Sequence, residues 1–340
     1  GEEDLGPVGR LAEEITWDFD LFSKSKLELE CYVIDVYRAT GLASRFQIGE
    51  DALRRFVSDV QRSYHDNPFH NFYHAFSVFQ VTYLLITQTQ ARHLLRDTDL
   101  LAALTAALCH DADHPGVSND FLIHSGSPLS LLYNDVSVLE NHHCRTAFEA
   151  VLADERGIFR GLTLHEKSEV RRAIVSAILA TDMRHHASYV SRMRIVAEAH
   201  TADPESHVAL DIDKEQDRQL LVDVLVHCAD LSGQAMAHGL AKEWGKRVLE
   251  EFRQQTVLEQ RRGLPTLPFM MDLDDPLKQA TTQKNFISFV VEPLWKVFCS
   301  VFPEVSHLRD NLTLNLEAYR AEEEALIAAS KGAAAGGSTD

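Results

Sequence analysis

The sequence lacks several features that would each indicate a particular class of protein. No apolar run approaches the roughly 18 residues that a membrane-spanning helix needs, and no signal-peptide pattern opens the chain. The five cysteines among 340 residues are odd in number, widely scattered and without a Cys-x-x-Cys pair. This usage fits a reducing, intracellular compartment and does not favour a structural zinc knuckle. We therefore predict a cytoplasmic protein without a transmembrane segment.

Basic residues are also in short supply. The chain has 33 Lys and Arg residues against 51 Asp and Glu residues, which gives a net charge of −18. Proteins that bind nucleic acid need clustered Lys and Arg to displace phosphate counterions, so no nucleic-acid partner is expected. The acidic surplus and the 17 histidines instead offer carboxylate and imidazole groups together. Divalent metals bind this combination of ligands.

Strand patterns are missing from the sequence as well. No segment keeps a period of two, and no glycine-rich strand-to-helix turn occurs, so a doubly wound nucleotide-binding fold is not indicated. Apolar residues instead recur at helical spacing in several segments, for example at Leu53, Phe56 and Val60. A capping box formed by Thr163 and Glu166 precedes a further apolar stripe. The sequence therefore predicts an all-α fold.

The domain organisation follows from the breaks between these stripes. All breaks that contain proline or glycine are too short to separate independent domains, so we predict one compact multi-helix domain over residues 16–328. The first residue is glycine and the opening residues are polar and acidic. We expect residues 1–15 to be a flexible segment of a piece cut from a longer protein, whose regulatory domains lie outside this chain. The end of the chain predicts a disordered tail over residues 329–340.

Three polar clusters stand at the ends of otherwise apolar segments, with the sequences FHNFYH, CHDADH and VHCADLSG. Their imidazole and carboxylate groups are His70, His74, His110, Asp111, His114, His227 and Asp230. Each cluster alone has an ordinary explanation as a helix cap, a surface ion pair or a chance pairing. Together they would bury several ions at a cost of several kcal/mol each, and a bound cation removes that cost. The clusters therefore predict a divalent metal site.

An ordered set of motifs indicates a family. Between about residue 64 and residue 300 the chain carries, in this order, FHNFYHA, HDADHPGVSND, YNDVSVLENHH, ILATDM, HCADLS and EPLW. The motifs and their order resemble those of class I cyclic nucleotide phosphodiesterases. The resemblance implies an enzyme that hydrolyses 3′,5′-cyclic nucleotides, cAMP and as a further candidate cGMP, to 5′-nucleoside monophosphates. It also implies attack by a hydroxide that two metal ions activate, a reaction that ends cyclic nucleotide signals.

The resemblance assigns the metal ligands to particular residues. The positions that match the ligands of the first ion are His74, His110, Asp111 and Asp230. Mixed nitrogen and oxygen ligands suit Zn²⁺ at this site. The resemblance also implies that Asp111 bridges to a second ion held mostly by water. Mg²⁺ accepts such a site because it dehydrates reluctantly, and Mn²⁺ would also serve.

The resemblance further implies which residues take part in catalysis. His70 matches the general acid that protonates the departing O3′, and its ring can titrate near the operating pH. Glu251 matches the carboxylate that holds this imidazole protonated and oriented. Positions that orient the ligands and the metal-bound water are matched by His114, Glu140 and Thr181. We count His114 with the catalytic residues.

The substrate base would bind at three further positions. Gln283 matches the glutamine that pairs with the base edge, Phe286 matches the ring that stacks on the base, and Val248 would form the opposite side of the clamp. An amide has both a donor and an acceptor, so a rotation lets it match adenine or guanine. Where cAMP-selective relatives carry larger residues, this chain has Gly233, Ala241 and Gly245. Fewer neighbours would then hold Gln283, so strict selectivity is not expected.

Three other functions compete with hydrolysis of cyclic nucleotides. A different His-Asp metallophosphohydrolase, acting on linear or signalling nucleotides, would not need the glutamine–phenylalanine pair or the later motifs. A catalytically inactive sensor of cyclic nucleotides would have lost a metal ligand or the general acid, and all of these residues are present. A di-iron helical bundle needs paired Glu-x-x-His motifs that face inward, and the sequence shows no such pair.

Overall fold

A computed structural model describes residues 9–151, 157–202 and 210–336, and all regular secondary structure in these ranges is helical. The α-helices are α1 (Arg10–Glu14), α2 (Lys26–Ala39), α3 (Leu42–Arg45), α4 (Glu50–Ser63), α5 (Phe72–Thr87), α6 (Asp97–Cys109), α7 (Asn119–His124), α8 (Pro128–Leu132), α9 (Val138–Thr146), α10 (Leu164–Leu179), α11 (His186–Ala202), α12 (Glu215–Asp230), α13 (His238–Arg262), α14 (Pro276–Phe286), α15 (Glu292–Val301) and α16 (Ser306–Gly336). Short 3₁₀ and π-helical turns join several of them. The helices pack around one large hydrophobic core, so the predicted all-α, single-domain fold is confirmed.

Helices α5, α6 and α12 contact one another at the centre of the domain. Every residue of α6 from Leu100 to Cys109 is buried, and α5 buries Phe72, Phe76 and Phe79 completely. A helix that is apolar on all its faces belongs in the interior of a protein. Each fully buried Leu or Phe side chain contributes about 1.5–3 kcal/mol of transfer free energy. The polar residues at the ends of these helices are therefore carried into the interior.

Polar contacts fix the ends of two of these central helices. Asn71 is the N-cap of α5, and its side chain accepts the backbone N–H of Tyr73 at 2.9 Å. Helix α6 ends at Cys109, and four residues later Asp113 adopts a left-handed conformation with a φ of 62°. The backbone N–H of Asp113 donates to the carbonyl of Ser63 at 2.9 Å, which ties the turn after α6 to the end of α4. The first turn of α5 and the turn after α6 are therefore held in place.

The predicted flexible segment at 1–15 is wrong in its second half, because α1 lies there. The carboxylate of Asp35 in α2 accepts backbone N–H groups at the start of α1 from Gly9, Leu11 and Ala12, at 3.0, 2.9 and 3.1 Å. A negative charge on these unpaired N–H groups stabilises the helix N-terminus. Local pattern could not predict the contact, since the acceptor lies 23 to 26 residues away in the sequence. Residues 1–8 lie outside the described residues.

The predicted disordered tail at 329–340 is wrong for residues 329–336, which continue α16 to Gly336. Alanine has the highest intrinsic helix propensity, and residues 333–335 are all alanine. The alanine run outweighs the glycine at position 332 in this part of the chain. The last four residues lie outside the described ranges.

In the described ranges no single helix is long and apolar enough to cross a membrane. Two consecutive segments, Glu215–Ala235 and His238–Arg262, are together long and apolar enough for a membrane span, but they are bent by 104° relative to each other. All five cysteines are buried, and none of them forms a disulfide.

Candidate active site

The four predicted ligands of the first metal ion come together in the structure. His74 lies in the first turn of α5. His110 and Asp111 directly follow α6, and Asp230 is the last residue of α12. The Asp230 Oδ1 atom lies 3.0 Å from His74 Nε2 and 3.3 Å from His110 Nε2. The Asp111 Oδ2 atom lies 3.0 Å from His110 Nε2 and 3.4 Å from His74 Nε2. One ligand atom from each side chain lies within 4.8 Å of all the others, so this His-Asp cluster could hold a metal ion.

The hydrogen bonds around this His-Asp cluster suit a cation. His110 Nδ1 donates to the carbonyl of Ala107 at 2.9 Å, so Nε2 of the neutral ring carries a lone pair. That Nε2 atom lies 3.2 Å from Nε2 of His74. Burial raises the pKa of Asp230, but the positive charge of His110 in its protonated form and the hydrogen bonds from His110 and His74 outweigh burial and hold this pKa well below its usual range. A divalent cation would satisfy the imidazole nitrogens and the carboxylates at once, and Zn²⁺ accepts this mixed donor set.

The ring of His70 is held from the other side by Glu251 of α13. Glu251 Oε1 contacts His70 Nδ1, and Oε2 accepts the backbone N–H groups of Phe69 and His70 at 2.9 and 3.0 Å. Glu251 is 3% exposed, so it is not a solvated helix charge. Burial lowers the pKa of His70, but the carboxylates of Glu251 and then Asp111 outweigh it and raise this pKa to about 9. Because Nδ1 is engaged, the nitrogen free to release a proton is Nε2, 4.0 Å from Asp111 Oδ2.

His114 has the opposite protonation character. Its ring stacks on that of His70, with centroids 3.9 Å apart and planes inclined by 14°. Its Nδ1 accepts the backbone N–H of Gly116 at 3.0 Å, so the proton of the neutral ring is on Nε2. Burial, reinforced by the charge of His70, holds the pKa of His114 well below its ordinary value. His114 is therefore a neutral imidazole that can donate a hydrogen bond from Nε2.

Glu140 and Thr181 line the same cavity as the His-Asp cluster. The carboxylate of Glu140 accepts from Asn119 Nδ2 at 3.1 and 3.0 Å. Burial raises the pKa of Glu140 to about 7, and the charge of Asp182 adds to the rise. The hydroxyl of Thr181 donates to the carbonyl of Ile178 at 2.7 Å, which leaves its oxygen able to accept. Both side chains can therefore accept a hydrogen bond from a water in the cavity.

Sequence reasoning missed His143, which is 1% exposed. Its Nδ1 donates to the carbonyl of Ala112 at 2.8 Å, and its Nε2 lies 3.6 Å from Asp111 Oδ1. Burial lowers the pKa of His143 to about 4, so the ring faces Asp111 in its neutral form. His143 is the last residue of the YNDVSVLENHH motif, and Asn119, which contacts Glu140, lies in HDADHPGVSND. The motifs therefore contained the signal for both residues.

A cavity of about 410 Å³ opens beside the His-Asp cluster. Ligand pockets for small organic molecules have volumes of roughly 300–1,000 Å³. The polar part of the wall includes His70, Asp111 and Asp230. The apolar part includes Trp244 and the two predicted clamp residues, Val248 and Phe286. One cavity thus joins the candidate metal site to an apolar slot.

Gln283 is buried, and its amide is bonded on both sides. Its Nε2 donates to the carbonyl of Gly245 at 3.2 Å, and its Oε1 accepts from Gln234 Nε2 at 3.2 Å. Among the described residues, Gln234 is part of the cavity wall and Gln283 is not. The expectation that small neighbours leave Gln283 loosely held is wrong, because Gly245 lets the backbone approach closely. A Cβ atom at position 245 would lie only 3.2 Å from Gln283 Cδ.

Comparison with known proteins bears on the same stretch of the chain. The 3′5′-cyclic nucleotide phosphodiesterase family profile matches residues 69–312. The chain is 35% identical over 321 residues to 3′,5′-cyclic-AMP phosphodiesterase 4C of Mus musculus. This match covers 92% of this chain and 46% of the relative. It is 34% identical over 290 residues to high affinity cGMP-specific 3′,5′-cyclic phosphodiesterase 9A of Homo sapiens. This match covers 85% of this chain and 47% of the relative. The chain therefore spans less than half the length of these two curated relatives.

A solved structure shares the fold over nearly its whole length. The crystal structure of the phosphodiesterase domain of Salpingoeca rosetta rhodopsin phosphodiesterase is similar with a TM-score of 0.89 and 35% sequence identity, covering 97% of this chain and 98% of that chain. The family profile spans all four members of the His-Asp cluster and the three residues predicted to contact the base. The chain belongs to the 3′,5′-cyclic nucleotide phosphodiesterase family.

Proposed function

We propose that this chain hydrolyses 3′,5′-cyclic nucleotides to 5′-nucleoside monophosphates, with cAMP as a substrate and cGMP as a second candidate. One observation carries the proposal: a single cavity joins a His-Asp cluster, a histidine held by a buried carboxylate, and an apolar slot. A cyclic nucleotide has three matching parts, which are an anionic phosphate, a leaving oxygen that needs a proton, and a flat apolar base. The relatives named for cAMP and for cGMP support this substrate class.

The proposed cofactors are Zn²⁺ at the first site and Mg²⁺ or Mn²⁺ at a second site that shares Asp111. The first site would use His74, His110, Asp111 and Asp230. A second site with one shared carboxylate would complete its coordination with water, as Mg²⁺ prefers. When bound, such ions supply positive charge against the phosphate oxygens and acidify a coordinated water.

His70 is the proposed general acid. When the bond from phosphorus to O3′ breaks, the departing oxygen gains negative charge and needs a proton, which His70 Nε2 donates. A pKa near 9 keeps the ring protonated at neutral pH before the transfer. We further propose that His114, Glu140 and Thr181 orient the attacking water through hydrogen bonds, in which Thr181 is an acceptor.

The base would bind in the apolar slot of the cavity. Phe286 and Val248 offer apolar surface to the two faces of a purine, and such stacking recognises any purine. The amide of Gln283 would contribute the contact that depends on the edge of the base. Specificity would therefore come from the amide, and affinity from the apolar slot.

A direct assay tests the proposed function. We expect kcat/KM of about 10⁴–10⁸ M⁻¹s⁻¹ for at least one of cAMP and cGMP in the presence of Mg²⁺ or Mn²⁺. A chelator should abolish turnover, and returning the metal should restore it. No turnover of either nucleotide by the folded, metal-loaded chain would contradict the proposal. Faster hydrolysis of a linear nucleotide diester would favour a different metallophosphohydrolase.

Replacing Glu251 with Gln should move the alkaline limb of the kcat profile to lower pH. The general acid must be protonated, so kcat falls as the pH rises through the pKa of His70. The Glu251 carboxylate raises that pKa above the ordinary value of 6.5. The amide carries no charge and has one acceptor oxygen in place of two, so the limb should shift by about 1 to 2 pH units.

Glu250→Gln is the matched control for this pH profile. Glu250 is the preceding residue of α13, and its carboxylate pairs with Arg253 on the surface of the helix. We expect its alkaline limb to coincide with that of the unaltered enzyme. If the alkaline limb of Glu251→Gln, measured over pH 6 to 10, does not shift, then Glu251 does not set the pKa of the proton donor.

We also propose a cytoplasmic enzyme whose regulatory domains lie outside this chain. None of the five cysteines forms a disulfide, which fits a reducing compartment. The curated relatives are more than twice as long as the segment they share with this chain.

A further inference from the structure

The proposed general acid lies on a loop and not on a helix. His70 belongs to the irregular segment 64–71, which joins the end of α4 to the start of α5. We call this segment the acid loop. Loops position side chains less precisely than helices do, and a misplacement of about 1 Å can cost an enzyme about 100-fold in rate. The contacts that fix the acid loop therefore matter for proton transfer.

Glu251 holds only one side of the His70 backbone. Its carboxylate accepts the backbone N–H groups of Phe69 and His70 and contacts the ring atom His70 Nδ1. The backbone carbonyl of His70 is held by a different residue, Asn67, whose Nδ2 atom donates to it at 2.9 Å. The backbone of His70 is thus fixed at its N–H by Glu251 and at its carbonyl by Asn67.

The same NH₂ group also joins the acid loop to the chain that follows α6. Asn67 Nδ2 donates to the backbone carbonyl of His114 at 2.8 Å. An amide NH₂ group has two donors, so both hydrogen bonds form at once. One nitrogen therefore sets the separation between the backbones of His70 and His114. These two residues carry the rings that stack with their centroids 3.9 Å apart.

The neighbours of Asn67 hold its amide in place. The backbone carbonyl of Asn67 accepts from Asn71 Nδ2 at 2.8 Å. A Cβ atom at position 116 would lie only 2.8 Å from Asn67 Oδ1, and Gly116 has a φ of 74°. Glycine alone combines this backbone conformation with so close an approach. Asn67 is not part of the cavity wall, so it acts on the reaction through the residues it holds.

We propose that Asn67 is a positioning residue for proton transfer. It links the acid loop to the backbone of His114 and so keeps His70 Nε2 directed at the leaving oxygen. The inference rests on the proposed function and on His70 as the general acid. Glu251 holds the N–H side of the loop, and Asn67 prevents the carbonyl side from pivoting away.

Replacing Asn67 with Leu should reduce kcat for the cyclic nucleotide by about 10- to 100-fold. Leucine keeps the branched shape of the side chain but removes both donors. KM and metal content should change by less than about 3-fold, because Asn67 makes no hydrogen bond to the four proposed ligands. A p-nitrophenyl phosphodiester needs no proton on its leaving group, so its hydrolysis should also fall by less than about 3-fold. A merely structural defect would lower both rates together.

A double variant tests whether Asn67 acts through His70. Each substitution alone should lower kcat for the cyclic nucleotide. In the His70→Ala background no acid is left to position, so adding Asn67→Leu should cost less than about a further 3-fold. Two residues that serve the same step give such a non-additive result, whereas independent defects multiply.

Asn141→Leu is the matched control. Asn141 is also half-buried, and its Nδ2 atom also donates to two backbone carbonyls, those of Val136 and Ser137, at 2.9 and 3.0 Å. It should leave the ratio of the two substrate rates unchanged. Asn67→Ala provides a second variant if Asn67→Leu does not fold, since it leaves room for a water between the two carbonyls. It should show a smaller loss with the same dependence on the leaving group.

The outcomes separate this role from the proposed hydrolysis. An unchanged kcat in Asn67→Leu, or equal losses with both substrates, would overturn the positioning role and leave the hydrolysis standing. The same holds if the full loss persists in the His70→Ala background, or if Asn141→Leu alters the substrate ratio as Asn67→Leu does. A folded, metal-loaded chain that turns over neither cAMP nor cGMP would overturn both proposals.

Discussion

Replacing Asp230 with Asn should lower metal affinity by more than about 100-fold and kcat/KM by more than about 10³-fold. The amide keeps the shape of the side chain but removes the negative charge that faces His74 and His110 at 3.0 and 3.3 Å. Loss of an outer partner of a metal ligand costs about 10- to 100-fold in affinity, and Asp230 is proposed as a direct ligand. Elemental analysis and turnover, measured on the same sample, check the two expectations together.

Asp223 provides the matched control for this substitution. It lies on the same helix about two turns earlier and is 3% exposed. Its carboxylate accepts hydrogen bonds from Ser176, Tyr189 and Gln219 and does not face the His-Asp cluster. Asp223→Asn should retain its metal and most of its turnover. Full metal content and normal turnover in Asp230→Asn would contradict the ligand assignment, whereas equal losses in both variants would indicate a general defect of α12.

Replacing His70 with Ala should reduce kcat by about 10²- to 10⁴-fold, the usual contribution of a positioned general acid, while the metal stays bound. The ring of His70 is held by Glu251 and is not one of the four proposed ligands of the His-Asp cluster. Removing the ring therefore leaves those ligands in place. The loss should depend on the leaving group. A p-nitrophenyl phosphodiester releases a stable anion that needs no proton, so its hydrolysis should fall by less than about 10-fold.

The competing role for His70 is metal ligation. His70, Asp111 and His114 each offer one ligand atom within 4.8 Å of the others, so they form a second group that could hold an ion. Metal loss from His70→Ala, with an equal decrease in hydrolysis of both substrates, would make His70 a ligand and not the acid. Retention of metal with a decrease confined to the cyclic nucleotide supports proton donation.

The helices could be predicted because short stretches of sequence encode them. The apolar stripe that includes Leu53 and Val60 is buried in α4, and Thr163 with Glu166 forms the predicted capping box at the start of α10. The polar CHDADH stretch ends α6 at Cys109. All these features depend on contacts between residues about three or four positions apart, so the residue types and their spacing are sufficient.

The His-Asp cluster was predictable for a different reason. Ionisable groups at the ends of apolar helices are costly to bury, so their presence in FHNFYH, CHDADH and HCADLS predicts a compensating cation even before the helices are placed. The order of the motifs then predicted which groups meet. The structure adds their distances, and it adds His143, which lies in one of the motifs but had no predicted role.

The amino-acid sequence by itself determined the all-helical fold, the ends of a few helices and the family, because these depend on local periodicity and on motifs of a few residues. The family resemblance assigned Glu251 to His70, but only the tertiary structure shows the contact itself, because the two residues are 181 positions apart. The tertiary structure also decided that Gln234 holds Gln283 across 49 positions and that Asp35 anchors the first helix. Such contacts exist only where packed helices bring distant side chains within about 3 Å, and that distance depends on the whole core rather than on any local pattern.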